Sequence, residues 1–179
     1  MNLPNKLTMG RVACTLFMIV FLLLPGAPFA WLSFVMYGLA SLTDMADGKI
    51  ARARGLVTSF GKFMDPLADK ILNYSVMILL IPEGLIPPVA LVLILFREFL
   101  VSGLRQSGAE QGVVIAANLW GKVKTFFQDI SLTLILLLRA AGVGFLGVLS
   151  PVLIWICAAL TVVSGIVYVV QNARVLQER

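Results

Sequence analysis

The sequence has little charge and no histidine. Charged residues make up 13% of the 179 residues, against 60% hydrophobic residues, whereas a soluble domain has about 25% charged residues. A chain this apolar has too little polar surface to face water, so lipid is the expected solvent. The absence of histidine excludes histidine-based catalysis and histidine-rich zinc sites, and it leaves carboxylates as the candidate metal ligands.

Cysteine is also scarce. Cys14 and Cys157 each lie alone in an apolar run, a pattern that favours small buried side chains over a disulfide or a metal pair. The 14 basic residues outnumber the nine acidic ones. In a chain of apolar runs this excess indicates loops that face the cytoplasm and anionic lipid rather than nucleic acid.

Proline and glycine divide the chain into six apolar runs. Each run is close to the roughly 20 residues that a helix needs to cross a bilayer. The predicted spans are residues 8–24, 29–52, 61–82, 87–108, 116–138 and 149–175. The sequence therefore predicts an all-α integral membrane protein, a single domain over residues 1–179, with six transmembrane helices.

The basic residues indicate the orientation of these spans. Six spans place both termini on one side, and the loops on the opposite side carry only Arg139 and Glu83. By the positive-inside rule the basic side is cytoplasmic. The basic residues assigned to span ends on that side are Lys6, Arg11, Lys49, Arg52, Arg54, Lys62, Lys70, Arg105, Lys122, Lys124, Arg174 and Arg179.

Four of the nine acidic residues fall within residues 44–69. Asp44 and Asp47 share one helical face, and Asp65 and Asp69 share another, because residues three or four apart lie side by side. Two antiparallel helices would bring the four carboxylates together across a narrow gap. Carboxylates this close need cations, and oxygen ligands favour Mg²⁺ or Mn²⁺. Two such ions about 3.5–4 Å apart suit phosphoryl chemistry.

Two neighbouring residues suit a phosphate-bearing ligand. Gly48 allows a ligand or a helix to approach the backbone, and Arg52 offers a fork-shaped donor for phosphate oxygens. The alternative is that these charges cap helices or form ion pairs at the membrane surface. That alternative explains Lys49, Arg54 and Lys62 better than it explains four aspartates on two matched faces.

The string D-x-x-D-G-x-x-A-R-x8-G-x-x-x-D-x-x-x-D over residues 44–69 resembles the signature of the CDP-alcohol phosphotransferase family at every fixed position. Three other strings resemble the branch of that family that uses glycerol 3-phosphate as acceptor. They are Leu3-Pro4-Asn5-Lys6-Leu7-Thr8-x-x-Arg11, Arg97-Glu98-x-x-x-Ser102-Gly103-x-Arg105 and Gly121-Lys122-x-Lys124-Thr125.

The resemblance implies a homodimer in a bacterial cytoplasmic membrane, with two metal ions in a polar cavity that faces the cytoplasm. It also implies transfer of a phosphatidyl group from CDP-diacylglycerol to glycerol 3-phosphate, with release of CMP. The matching positions are Asp44, Asp47, Asp65 and Asp69 for the metals, Asp69 also for the general base, and Asn5, Thr8, Gly48, Arg52 and Thr58 for the CDP part of the donor.

A phosphorylated acceptor needs further cations, and Arg97, Arg105 and Lys122 are the candidates. Arg97 lies inside the fourth span and Arg105 lies eight residues later, near the same face. Lys122 begins the fifth span, on a stripe with Asn118 and Thr125. Their convergence near the carboxylates would bind the acceptor phosphate.

Each of these cations has a structural alternative. Arg97 would instead pair with Glu98 or Asp129, and the long side chains of Arg105 and Lys122 would reach to lipid headgroups. Lys124 lies off the stripe of Lys122 and is predicted to be interfacial.

Other functions stay open on the residues alone. Inositol phosphate would suit the same cations as an acceptor. A divalent-cation transporter would also use intramembrane carboxylates, but it needs them across the whole membrane depth, and the four aspartates lie toward one side. A structural scaffold would not need them.

Overall fold

The computed structural model describes residues 3–54, 59–110 and 119–172, and every regular element in that part of the chain is a helix. The helices are α1 (Leu3–Leu23), α2 (Ala27–Arg54), α3 (Ser59–Leu79), α4 (Pro88–Glu110), α5 (Leu119–Ala140) and α6 (Leu146–Gln171). The all-α prediction and the six runs are confirmed. The first residues predicted for the fifth span, 116–118, and the last predicted for the sixth, 173–175, lie outside the described residues.

One of these helices is long and apolar enough, by composition, to cross a membrane. It is α6, with 26 residues and a mean hydropathy of 2.5. Two shorter apolar stretches, Leu7–Leu23 and Ala27–Thr43, form most of α1 and the first part of α2. Charged side chains interrupt the apolar sequence of α3, α4 and α5, so composition alone does not mark those helices as spans.

The chain divides into two compact units. The first comprises Met1–Pro82 and Leu132–Leu146, and the second comprises Glu83–Ser131 and Gly147–Arg179. Helices α1, α2 and α3 therefore belong to the first unit, and α4 belongs to the second, together with all but the first residue of α6. The assignment of residues 1–179 to one domain stays a prediction.

Helix α1, in the first unit, buries several polar side chains and exposes apolar ones. On α1 the buried stripe repeats every three or four residues, the period of one helical face. It consists of Asn5, Thr8, Arg11, Thr15, Met18 and Leu22. The other side of α1 exposes Leu16, Phe17 and Val20. Polar residues on the buried face of a helix, beneath an apolar exposed face, are unusual in a soluble protein, and they suit a helix surrounded by lipid.

Helix α2 is tied to both of its neighbours in this unit. Gly26, with a φ of 109°, allows the tight turn between α1 and α2, and the rings of Phe21 and Phe29 stack across it at 6.3 Å. Deeper in the unit, the hydroxyl of Tyr37 donates a 2.8 Å hydrogen bond to the amide oxygen of Asn73 on α3, and both side chains are buried.

The second unit is held by apolar and polar contacts between α4 and α6. Val101 and Leu104 on α4 pack against Tyr168 on α6. A groove of about 410 Å³ runs between the two helices, lined by apolar side chains such as Phe96 and Ile166 and by Arg97. Because its lining is almost entirely apolar, this groove differs in character from the polar cavity expected around the aspartates.

Candidate active site

Asp65 and Asp69 lie one turn apart on α3, and both are partly buried. Their four-residue spacing places them on one face of the helix. Gly61 and Ala68 lie on the same face and are buried. The predicted stripe of residues 61, 65, 68 and 69 therefore turns toward the interior of the first unit.

A hydrogen bond from α1 orients the first of these carboxylates. The hydroxyl of Thr8 donates to Oδ1 of Asp65 over 2.6 Å, and Thr8 is only 1% exposed. Hydrogen bonds to an ionised oxygen are short and strong, so this contact fixes the carboxylate relative to α1. The sequence predicted Thr8 at the nucleotide, and the structure places its hydroxyl on a predicted metal ligand.

Helix α2 carries the other half of the predicted site. It runs without a break from Ala27 to Arg54, and Asp44 lies seven residues, about two turns, beyond the buried Tyr37. The residues predicted on this helix are Asp44, Asp47, Gly48 and Arg52, whose side chains lie outside the described residues. Thr58 also lies outside them.

The described half of the ligand set fits a hard divalent cation. Asp65 and Asp69 offer carboxylate oxygens from one face of a helix, and these are the ligands that Mg²⁺ and Mn²⁺ prefer. The hydroxyl of Thr8 supplies the orienting contact that a ligating carboxylate needs. Within the described residues no three His, Cys, Asp or Glu side chains come together, since only two of the four predicted ligands have described side chains.

The remaining polar residues of α1 continue the stripe on both sides of Thr8. Asn5, predicted at the nucleotide, is 9% exposed, and Arg11 is fully buried. The assignment of Arg11 to the cytoplasmic end of a span stays a prediction. Because Arg11 follows Thr8 by three residues, it lies on the buried face of α1 rather than on its rim.

In the second unit Arg97 is held by two neighbours. Its Nη1 donates to Oε1 of Glu98 at 2.9 Å, and its Nη2 donates to the hydroxyl of Ser164 at 2.7 Å. Arg97 is 8% exposed and Ser164 is fully buried. The alternative of an ion pair with Glu98 is confirmed, and the binding of an acceptor phosphate by Arg97 stays a prediction.

Lys124 is the third member of this ion-pair cluster. Its Nζ donates to the same Oε1 of Glu98 at 2.8 Å, and it is 2% exposed. The interfacial position predicted for Lys124 is wrong, because Lys124 continues the buried stripe of α5 that includes Gln128 and Ser131. The carboxylate of Glu98 compensates the buried charge.

Arg105 and Lys122 are both exposed. The Nε of Arg105 donates to the hydroxyl of Tyr168 at 3.0 Å, and its guanidinium lies 5.6 Å from the centre of the Tyr168 ring. Arg97 and Arg105 therefore both meet α6, at Ser164 and Tyr168, which are one turn apart. Among the contacts described in this unit, it is Lys124, rather than Lys122, that joins Arg97 at the carboxylate of Glu98.

A family model described as CDP-alcohol phosphatidyltransferase matches residues 1–163. The chain belongs to the CDP-alcohol phosphatidyltransferase family. The matched range contains α1 to α5, every predicted metal and CDP-binding residue, and the cations on α4 and α5.

Several curated relatives that are similar in sequence to this phosphatidyltransferase carry the name of one enzyme. A protein of Rickettsia felis named CDP-diacylglycerol–glycerol-3-phosphate 3-phosphatidyltransferase is 39% identical over 93% of the chain and 93% of its own length. A Bacillus subtilis protein of the same name is 39% identical over 98% of the chain and 97% of its length. A Mycobacterium tuberculosis protein named probable phosphatidylglycerophosphate synthase is 36% identical over 97% of the chain and 82% of its length.

Sequence reasoning on this family member missed the partners Ser164 and Tyr168. Both lie on α6, the most apolar helix, four residues apart and both buried. A signal was present, because polar residues in an apolar span usually face a partner in the bundle. The identity of the partner depends on which helix packs against α6, and spacing within α6 does not supply that.

Gly165 generates a test of how Arg97 is positioned. A Cβ at residue 165 would lie 2.9 Å from Cγ of Arg97, whereas carbon atoms normally approach to about 3.5–4.0 Å. We expect Gly165→Ala to lower the free energy of unfolding by about 1–3 kcal/mol through overpacking, measured by titration with sodium dodecyl sulfate in mixed micelles.

The matched control is Gly103→Ala, inside α4, where a Cβ meets nothing within 4 Å. Because alanine favours helix by about 1 kcal/mol over glycine, this variant should be as stable as the wild type or more so. Equal stability of the two variants would show that the Arg97 stem moves aside without cost.

Proposed function

We propose that this chain transfers the phosphatidyl group of CDP-diacylglycerol to glycerol 3-phosphate, giving phosphatidylglycerol phosphate and CMP. The observation that carries the proposal is the 39% identity, over nearly the full length of both chains, to relatives named for this reaction. The partly buried carboxylates of Asp65 and Asp69, the first of them oriented by Thr8, support it from the structure. A scaffold or a transporter has no need of a CDP-alcohol signature.

The proposed metal ligands are Asp44, Asp47, Asp65 and Asp69, which would hold two divalent cations, Mg²⁺ or Mn²⁺. When bound, the cations would neutralise charge on the pyrophosphate of the donor. Thr8 would keep the carboxylate of Asp65 in its binding orientation. The CDP part of the donor would be held by Asn5, Thr8, Gly48, Arg52 and Thr58.

The displacement needs one base and no covalent enzyme intermediate. Asp69 accepts the proton of the primary hydroxyl of glycerol 3-phosphate. The hydroxyl oxygen then forms a bond to the phosphorus that bears the diacylglycerol. The bond from that phosphorus to the bridging oxygen breaks, and CMP leaves with its electron pair. Positioning and electrostatic stabilisation supply most of the acceleration in such transfers.

The acceptor phosphate would be bound by cations of the second unit. Arg105 is exposed, and its contact with Tyr168 orients its guanidinium, which makes it the leading candidate. Arg97 already donates to Glu98 and Ser164, so it would contribute mainly through its charge. Lys122 is exposed at the start of α5 and would complete the pocket.

We further propose that all six helices cross the cytoplasmic membrane of a bacterium. The apolar outward face of α1 and the hydropathy of α6 support this, as do the bacterial sources of several relatives. Both termini and the polar cavity would face the cytoplasm, following the distribution of basic residues. The active form would be a homodimer.

The proposed reaction is tested by assaying CMP release from CDP-diacylglycerol by the detergent-purified protein with Mg²⁺ or Mn²⁺. Glycerol 3-phosphate, inositol phosphate, inositol and serine are compared as acceptors, with Asp65→Ala as the inactive control. We expect release with glycerol 3-phosphate alone. Release with another acceptor would overturn the substrate, and a folded protein that releases no CMP with any acceptor would overturn the reaction.

Thr8 is expected to act through Asp65. Thr8→Val removes the hydroxyl at nearly constant volume, and loss of such an orienting partner typically costs about 10–100-fold in activity or metal affinity. We expect a loss of that size in the rate of CMP release, with the rate largely retained in Thr8→Ser.

Thr15→Val is the control for Thr8→Val. Thr15 is also buried on α1, but its hydroxyl donates to the carbonyl of Arg11 within the same helix. It should keep the wild-type rate. Equal losses at Thr8 and Thr15 would mean that general packing, rather than the carboxylate, accounts for the effect.

Arg105→Ala should separate the acceptor from the donor. Because a hydrogen bond to a charged group contributes about 1.5–3 kcal/mol, the KM for glycerol 3-phosphate should rise by about tenfold or more. The KM for CDP-diacylglycerol should change little. Tyr168→Phe, which removes the oriented hydroxyl and keeps the cation, should raise the acceptor KM less. An unchanged acceptor KM in Arg105→Ala would place the acceptor pocket elsewhere.

A further inference from the structure

Arg11 is a fully buried cation in the first unit, and the mechanism gives it no role. An ion removed from water costs several kcal/mol unless an opposite charge compensates it. Across the chain ranges of this unit, Met1–Pro82 and Leu132–Leu146, the only acidic residues in the sequence are Asp44, Asp47, Asp65 and Asp69. Any acidic side chain of its own unit that balances Arg11 therefore belongs to the predicted metal site.

Contacts between the helices show which residues of α2 and α3 lie at the same height as Arg11 along the helix axes. The stacked rings of Phe21 and Phe29 place these residues side by side on antiparallel α1 and α2. Tyr37 lies eight residues after Phe29, so it is level with a point about eight residues before Phe21, near Ala13. Since Tyr37 bonds to Asn73, Asn73 is also level with this part of α1.

A second contact fixes the direction of α3. Thr8 on α1 bonds to Asp65, while Asn73, further along α3, is level with a later part of α1. The two helices therefore run parallel. Asp69 lies midway between Asp65 and Asn73, so it is level with the turn of α1 that follows Thr8. Arg11 occupies that turn, on the same buried stripe as Thr8.

We infer that Arg11 is a built-in counter-ion of the aspartate cluster, level with Asp69, which balances part of its charge before a metal binds and lowers its affinity for divalent cations. The inference rests on the proposed metal site and assigns a positioning residue that lies outside the signature of residues 44–69. A fixed positive charge repels an incoming cation through the same field that stabilises the carboxylates. The apo site would then hold together without its metals.

The test is Mn²⁺ binding to the full-length detergent-purified protein without substrate, followed by the paramagnetic resonance signal of free Mn²⁺. Arg11→Met removes the charge and keeps most of the volume. Since an opposite charge within about 4–6 Å changes proton affinity by 1–3 pKa units, we expect Kd for Mn²⁺ to fall by about tenfold or more in Arg11→Met. Arg11→Lys should stay near the wild type.

A second readout is the thermal unfolding midpoint with EDTA and with Mn²⁺. Arg11→Met should unfold at a lower temperature than the wild type in EDTA and recover with Mn²⁺, because the metals then supply the missing positive charge. Arg139→Met is the control, since it removes a cation from the last turn of α5, and it should leave Kd for Mn²⁺ unchanged.

If Arg11→Met does not fold in EDTA, the test becomes whether the double variant Arg11→Met with Asp69→Asn folds there. Removing the carboxylate level with Arg11 restores the charge balance, so the double variant should fold, and a double variant that stays unfolded would overturn the inference. An unchanged or weaker Mn²⁺ affinity in folded Arg11→Met would also overturn it. So would a loss confined to CDP-diacylglycerol affinity, which would make Arg11 a donor contact.

Failure of this inference is distinguishable from failure of the proposed function. A wild-type protein that neither binds Mn²⁺ nor releases CMP would remove the metal site itself. A wild-type protein that binds Mn²⁺ with the same Kd as Arg11→Met would leave the reaction intact and remove only the counter-ion.

Discussion

Charge placed inside an apolar body has to be balanced by charge within reach, and each compact unit of this phosphatidyltransferase meets that requirement differently. In the second unit one carboxylate, that of Glu98, accepts hydrogen bonds from both Arg97 and Lys124 at under 3 Å. The first unit carries four acidic residues in its chain ranges, and Arg11 is a fully buried cation among its described residues. The carboxylates of the first unit are the hard oxygen ligands that a site for divalent cations requires.

Helical periodicity decides which side chains of the first unit face its interior. One stripe of α1 carries Thr8 and Arg11 to the interior, and one stripe of α3 carries Asp65 and Asp69. Asp65 and Asp69 are one turn apart on the same rigid helix. The hydrogen bond between Thr8 and Asp65 therefore also fixes the height of Asp69 along α1. The apolar residues on the outer faces do not select this level, since sliding one helix along another would leave them on the outer face.

The sequence was sufficient for what is encoded locally. The proline and glycine clusters between the apolar runs coincide with the helix ends, as at Gly26, so the six predicted runs lie close to the observed helices. Spacing alone predicts that Asp65 and Asp69 share one face of α3. The sequence does not predict the surroundings of a residue whose partner lies on another helix. The spacing within α5 predicts an interfacial Lys124, because that spacing does not reveal its partner Glu98 on α4.

The contact between Arg97 and the bare backbone at Gly165 links two positions far apart in the chain. Neither residue is free to change in size by itself. A relative that carries a larger residue at the position of Gly165 needs a slimmer side chain opposite it, or a wider separation of the two helices. Exchanging α6 alone between members of the family would therefore transfer a surface fitted to a different partner, and a functional chimera should carry α4 and α6 from the same parent.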